Sequence, residues 1–140
     1  MTSTVRPESK IIVIVREDLA VWQKLNIACF LAGGLGGADP QLVGQPYQDA
    51  SGTLYHPLIR QPILIYAGTG EELRLAHRRA LDREVRVAVY TMELFATSND
   101  DDNRKAVRDV VCDTLDLVGL AFHTDRRLAD KIVKGLKWHP

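Results

Sequence analysis

The sequence predicts a protein of the α/β class, because apolar strands and amphipathic helices alternate along its 140 residues. The first strand, residues 10 to 16, is apolar on both faces and runs directly into a helix. Such a strand needs cover on both faces, as in the interior of an α/β sheet. In such sheets, functional groups are commonly found where a strand ends and the next helix begins. Arg16, Asp18 and Lys24 therefore define the first candidate site.

Length and composition predict one cytoplasmic domain. A flexible leader over residues 1 to 9 precedes a single domain over residues 10 to 140. The 18 basic and 18 acidic residues cancel, so no overall charge attracts DNA or a membrane surface. No apolar segment reaches the roughly 18 residues of a membrane span, and the N-terminus lacks the apolar core of a secretory signal. Cys29 is expected to be a buried, unpaired thiol within an apolar helix.

The remaining pattern predicts four strands, helices between them, and one irregular stretch. The first helix spans residues 19 to 32, with Asp18 as its N-cap and Gly33 and Gly34 as its end. Residues 39 to 60 are rich in turn formers and indicate an irregular hairpin. Further strands are expected at residues 62 to 66, 85 to 90 and 115 to 122, and further helices at residues 70 to 83, 98 to 109 and 124 to 137.

The far end of the first helix is apolar nearly all round. Ile27, Phe30 and Leu31 are apolar there, in addition to the apolar residues that recur at helical spacing, Val21, Leu25, Ala28, Cys29 and Ala32. A helix that is apolar on every side must be buried, either inside its own domain or against a second copy. The sequence therefore predicts a homodimer.

Four long segments of the sequence resemble those of a known family. They are Arg16-Glu-Asp-Leu-Ala-Val-Trp-Gln-Lys-Leu-Asn26, Leu58-Ile-Arg-Gln-Pro-Ile63, Tyr90-Thr-Met-Glu-Leu-Phe-Ala-Thr97 and Asp130-Lys-Ile-Val-Lys-Gly-Leu-Lys137. With these segments the chain resembles the domain of unknown function 2000 family over nearly its full length.

More distantly, the chain resembles class II peptidyl-tRNA hydrolases. Their first strand ends in an Arg-Thr-Asp-Leu word, followed by a Gly-Lys at the start of the first helix. The corresponding segments here are Arg16-Glu-Asp-Leu19 and Gln23-Lys24, if the alignment leaves out one residue between them. The resemblance implies a three-layer α/β/α sandwich with a small mixed, mostly parallel four-stranded sheet, usually dimeric.

The chain departs from those hydrolases at polar positions. Under the same alignment, two polar positions of their first helix fall on Ala28 and Leu31. Their Asp-Ala-Gly-Arg-Thr loop is replaced by Thr91-Met-Glu-Leu-Phe-Ala-Thr97, which differs in length and lacks glycine. We therefore expect the chain to have kept ligand binding rather than catalysis, with little or no cleavage of peptidyl-tRNA.

Lys24 is the strongest candidate for function. A cation near a helix N-terminus, beside free backbone N–H groups, forms an anion site, although the helix dipole disfavours that cation when nothing is bound. A solvated lysine is the alternative. Asp18 is either a helix cap or a catalytic acid, and Arg16 holds either Asp18 or a ligand carboxylate.

The segment after the third strand supplies the other candidates. Glu93 is the best candidate for a general base, and Lys24 and Glu93 are together the candidate catalytic residues. The alternative is that Glu93 is an ordinary carboxylate at the start of a helix. Thr91 and Thr97 either bind phosphate and position water, or bond to local backbone. No metal or cofactor is expected, because the histidines are scattered and the glycine-rich stretch follows a helix rather than a strand.

These observations leave three classes of function open. The first is a binder of an anionic ligand, a phosphate-bearing small molecule or an RNA end, near Lys24. The second is a hydrolase of an ester or amide bond on an RNA-linked or other anionic substrate. The third is a non-catalytic, dimeric interaction domain. The residues do not name the ligand or decide between these classes.

Overall fold

The computed structural model describes residues 8–140, so most of the predicted leader lies outside the described residues. The strands are β1 (Ser9–Arg16), β2 (Tyr47–Gln48), β3 (Leu54–Tyr55), β4 (Ile63–Gly68), β5 (Ala88–Thr91), β6 (Leu117–Asp125) and β7 (Lys137–Trp138). The helices are α1 (Val21–Ala38), α2 (Gly70–Asp82), α3 (Asp100–Arg108) and α4 (Arg126–Ile132).

The main sheet is mixed, as predicted, but it has five strands in the order β5-β6-β1-β4-β7. The expected four strands and mostly parallel pairing are wrong. Only β1 and β4 pair in parallel, whereas the other three pairings are antiparallel. The fifth strand arises because α4 ends at Ile132 and Gly135, at φ +90°, turns the chain back to pair with β4.

β1 lies at the centre of the sheet, and its residues 11 to 15 are at most 1% exposed. Successive side chains of a strand point to opposite faces. Ile12 and Ile14 pack with the apolar side chains of α2 and α4, and Val13 and Val15 pack with those of α1. The expected burial of β1 and the three layers are confirmed.

α1 is longer than predicted. It begins at Val21, where the Gln23 side chain accepts the backbone N–H of Ala20 at 3.0 Å, so Asp18 is not its cap. The helix continues through Gly33 and Gly34, since a glycine costs a helix only about 1 kcal/mol relative to alanine. It ends at Ala38, because Asp39 precedes Pro40 and a residue before a proline is disfavoured in the helical region.

A glycine of β6 lets α1 approach the sheet. A Cβ at Gly119 would lie 2.3 Å from Ile27 Cγ2 and 3.1 Å from Leu31 Cδ1. Ile27 and Leu31 are themselves buried on the sheet side of α1. The missing side chain at Gly119 therefore sets how closely α1 packs on the sheet.

The predicted irregular hairpin is present as the antiparallel pair β2 and β3. Asp49 holds its tip, accepting the N–H groups of Ser51 and Thr53 and the Tyr55 hydroxyl at 2.7 Å. The Tyr55 hydroxyl, followed by the Thr53 backbone, lowers the pKa of the Asp49 carboxyl. The hairpin is thus fixed by its own hydrogen bonds.

Across residues 8–140, every helix is too short or too polar to cross a bilayer. The longest, α1, has 18 residues and carries several exposed glycines in its second half.

We predict that His77 of α2 makes folding stability depend on pH. Its side chain is 8% exposed, and burial, reinforced by Arg78 and opposed by Asp113, lowers its pKa below the usual 6.5. The unfolded chain therefore binds this proton first, so His77 contributes stability above about pH 6.5 that is lost on acidification. In urea titrations between about pH 7 and pH 5, His77→Gln should flatten the fall in the free energy of unfolding.

The exposed His56 provides the control, because His56→Gln should leave that pH dependence unchanged. An identical slope in the wild type and in His77→Gln would contradict the assignment.

Candidate functional site

The candidate site lies at the edge of the sheet where β1 and β5 end and β6 begins. Arg16 is the last residue of β1, and Thr91, the last of β5, pairs with Leu117 at the start of β6. The backbone N–H of Met92 also donates to the carbonyl of Asp116 at 3.0 Å. The topology therefore brings the segment after β5 to the same edge as Arg16.

Arg16 is held between two carboxylates. Its Nε donates to Asp18 Oδ1 at 2.7 Å, and its Nη1 donates to Asp116 Oδ1 at 3.1 Å. Two carboxylates more than balance one guanidinium, so this group offers no net positive charge to a ligand. Of the two alternatives for Arg16, the structure has the pairing with Asp18. Asp116 was missed because its partner lies 100 residues away in sequence.

Lys24 begins the second turn of α1 and does not pair with that cluster. Its half-buried side chain makes no hydrogen bond or ion pair with any residue in the range 8–140. It lines an apolar groove of about 340 Å³. The other lining residues are Val15, Val21, Leu25, Ala28, Ile65, His139 and Pro140.

His139 brings the end of the described chain to this groove. Its backbone N–H donates to the carbonyl of Ile65 at 3.0 Å, which extends the pairing of β7 with β4. Sequence reasoning missed His139 because the fifth strand was not predicted. The groove therefore combines apolar walls with one ammonium and one imidazole.

The structure does not bring Glu93 into that groove. Glu93 lies in a 3₁₀ helix, Met92–Ala96, where its side chain is exposed and unpaired among the described residues. This helix flanks the other side of α1, where Trp22 and Phe95 form an edge-to-face contact with their ring centroids 5.7 Å apart. None of residues 91 to 97 lines the Lys24 groove.

The two threonines differ in environment. The Thr97 hydroxyl donates to the carbonyl of Leu94 at 3.0 Å and also contacts Asn103, so it bonds locally. Thr91 is 0% exposed, and its hydroxyl has no hydrogen-bond partner in the described structure. A ligand in solution cannot contact Thr91 without displacing the side chains above it.

A second groove, of about 540 Å³, lies between α1, the edge strand β5 and α3. Its floor is apolar and includes Phe30 and Tyr90, whose ring centroids are 6.0 Å apart. On its rim Arg104 is paired with Asp100 and Asp101. The groove was not predicted, since it depends on how α3 lies beside β5.

Among the described residues, no three His, Cys, Asp or Glu side chains form a set of metal ligands. Cys29 and Cys112 are exposed free thiols, so the expected burial of Cys29 is wrong. The apolar run around Cys29 is an exposed helix face, which composition alone does not distinguish from a buried one.

The model of the family described as "Protein of unknown function (DUF2000)" matches residues 9–140. The chain belongs to this family. It is also similar to the solved structure of a protein of unknown function, Atu0240 from Agrobacterium tumefaciens strain C58, with a TM-score of 0.93. The two chains are 43% identical, and the match covers 96% of this chain and 100% of that one. No curated protein matches the sequence.

We predict that Thr91→Val leaves the protein folded and raises its free energy of unfolding by about 1 kcal/mol. Valine keeps the shape of threonine and removes a buried hydroxyl that lacks a partner, whose desolvation costs roughly 1–3 kcal/mol. Urea denaturation measures the change. A loss of more than about 1 kcal/mol would show that the hydroxyl is bonded in solution. Thr97→Val is the matched control and should destabilise, because it removes a hydrogen bond.

Proposed function

We propose that this DUF2000 protein binds a small anionic ligand with an apolar body in the groove beside Lys24. A phosphate-bearing small molecule or the end of an RNA has this chemistry. The observation that carries the proposal is a half-buried ammonium without a partner among the described residues, set in an otherwise apolar groove.

Electrostatics support an anion at this place. An ammonium near the N-terminus of α1 is disfavoured by the helix dipole, and a bound anion would be stabilised by both. The apolar walls reduce screening by water, which strengthens the attraction. Arg16 does not compete for the ligand, because Asp18 and Asp116 already hold it.

The apolar walls support a ligand that is more than an inorganic ion. Val15, Val21, Leu25, Ala28 and Ile65 would cover a ring or alkyl group at roughly 25 cal/mol per Å² of buried apolar surface. A ligand that joins a phosphate to such a group would use both parts of the groove. In this proposal Arg16, Asp18 and Thr97 shape the surrounding turns rather than contact the ligand.

A hydrolase acting on an ester or amide bond of an anionic substrate is the alternative. His139 favours it, because its imidazole shares the groove with Lys24 and imidazole is the commonest general base. Two observations argue against a hydrolase. Glu93, the candidate general base, lies outside the groove. Leu31, which stands where the hydrolases have a polar residue, is apolar and buried on the sheet side of α1. We therefore rank binding above catalysis.

We predict that Lys24→Ala weakens the binding of phenyl phosphate and of an aminoacyl-RNA mimic by about tenfold or more, since a charge-assisted hydrogen bond contributes about 1.5–3 kcal/mol. Calorimetric titration measures the affinity. Binding to the wild type should weaken with added salt, and inorganic phosphate should bind less tightly than phenyl phosphate. Turnover measured in parallel should be slight.

Lys134→Ala, which removes an exposed lysine beyond α4, is the matched control and should bind like the wild type. Equal affinities for the wild type and Lys24→Ala would refute the proposed site. Brisk turnover that disappears in Lys24→Ala would establish the hydrolase instead.

We also propose that the protein is a cytoplasmic homodimer. Its two free, exposed thiols suit a reducing compartment. Val21, Trp22, Leu25 and Phe30 of α1 are each more than half exposed, and an apolar surface of this kind on one helix is typical of a protein interface. Light scattering at tens of micromolar should give about twice the 15.6 kDa of one chain. A mass of one chain would contradict the homodimer.

A further inference from the structure

The outer face of α1 has two dissimilar halves. In the first half Trp22 and Leu25 are 58% and 61% exposed, and Phe30, next to the helix midpoint, is 62% exposed. In the second half Gly33 and Gly37 lie on the surface, with nothing within 4 Å of a Cβ built on either. Lys24 is the single charged residue of the 18 in this helix. Apart from the exposed Asn26, the face is therefore apolar, bulky at one end and flat at the other.

We propose that two copies of this chain pair through α1 in antiparallel orientation, so that the bulky half of each helix packs on the glycine half of the other. This inference rests on the proposed homodimer and specifies its interface. A two-fold interface uses the same surface on both copies, so the surface must complement itself. α1 meets that condition only when the two helices run in opposite directions, because a parallel pair would place bulk against bulk.

The spacing along α1 fixes the register. Trp22 lies as far before the helix midpoint as Gly37 lies after it, and Leu25 and Gly34 are related in the same way. The midpoint falls between Cys29 and Phe30. Glycines let two helix backbones approach closely, since interaxial distance depends on the side chains at the contact. Cys29 of each copy would then lie opposite Phe30 of the other, which brings the two Cys29 side chains close together beside the two-fold axis.

The hairpin enlarges this interface. Its base lies beside the end of α1, because Val43 and Ile59 pair across that base and both lie within 3.4 Å of a Cβ built on Gly36. Antiparallel pairing would therefore bring the hairpin of one copy toward the first half of the partner's α1. Tyr47, Leu54, Tyr55 and Leu58 of the hairpin are each more than half exposed, although its own hydrogen bonds keep it ordered. An ordered hairpin with exposed apolar side chains is suited to docking on a second surface.

The exposed area agrees with a stable dimer. Eight side chains of α1 and the hairpin contribute, at roughly 100 Å² for each half-exposed group, about 800 Å² per copy. They are Val21, Trp22, Leu25, Phe30, Tyr47, Leu54, Tyr55 and Leu58. Stable interfaces bury about 800 Å² on each partner. The exposed α1 face carries no charge, because Lys24, the one charged residue of this helix, is half-buried in the groove beside the sheet. This favours a second copy over an acidic or basic partner.

The pairing also bears on the ligand groove. Val21 and Leu25 line the groove and belong to the exposed α1 face. The partner's glycine half would close the open side of the groove along these two residues. Dimerisation would thereby remove water from the surroundings of Lys24.

Cross-linking tests the register. In Cys112→Ser the remaining thiol is Cys29, and a short bismaleimide should join two chains at that position. Cys29→Ser, which keeps the exposed Cys112, is the matched control and should give no cross-linked pair. Failure of Cys29 to cross-link in a protein of dimer mass would overturn the antiparallel α1 pairing.

A second variant separates the interface from folding. Gly33→Leu adds bulk where nothing lies within 4 Å and where leucine favours a helix, so the chain should still fold. It should weaken the dimer by about tenfold or more in sedimentation equilibrium, because the flat half is filled. Arg74→Leu, which adds the same side chain to the exposed side of α2 across the sheet, should leave the dimer unchanged.

A dimer that resists Gly33→Leu would also overturn the α1 pairing while leaving the homodimer in place. A monomeric wild type would overturn both. The phenyl phosphate titration of the wild type and Lys24→Ala tests anion binding separately, because it measures affinity rather than mass.

Discussion

β1 carries five consecutive side chains that are almost entirely removed from water, and the positions of α1, α2 and α4 follow from that burial. Each such side chain contributes roughly 2 kcal/mol when it is covered, so neither face of the strand can remain open. α2 and α4 cover Ile12 and Ile14, whereas α1 covers Val13 and Val15. Because the strand is enclosed along its length, its polar chemistry is confined to its end. Arg16 and the first turns of α1 lie at that end.

Charge compensation then decides which cation remains for a ligand. Arg16 is paired with two carboxylates and fixes the turn between β1 and α1 to the start of β6. Lys24, which follows Arg16 along the chain and lies in α1, has no such partner among the described residues. It faces a groove with apolar walls that the β7 segment completes through His139. The same helix therefore uses one side for the sheet, one margin for the proposed ligand and its outer face for the proposed second copy.

Local sequence patterns predict what depends on local burial, and they fail where distant residues meet. The apolar run in β1 and the polar turn after it correctly predicted a central strand with Arg16 and Asp18 at its end. Periodicity says nothing about strand direction, so the antiparallel pairing of β6 and the return of β7 were missed. The pairing of Arg16 with Asp116 and the approach of His139 to Lys24 both depend on those strands. Gly33 and Gly34 predict the end of α1 too early, because an exposed helix tolerates glycine and the chain leaves the helix only before Pro40.

The central claim is that an anion with an apolar body binds between Lys24 and the walls of its groove. Amide chemical shifts of the ¹⁵N-labelled protein, followed during a titration with phenyl phosphate, report its position directly. We expect the largest changes at Val15, Lys24, Ala28, Ile65 and His139. Changes concentrated instead at Phe30, Tyr90 and Arg108, which line the larger groove beside α3, would contradict it.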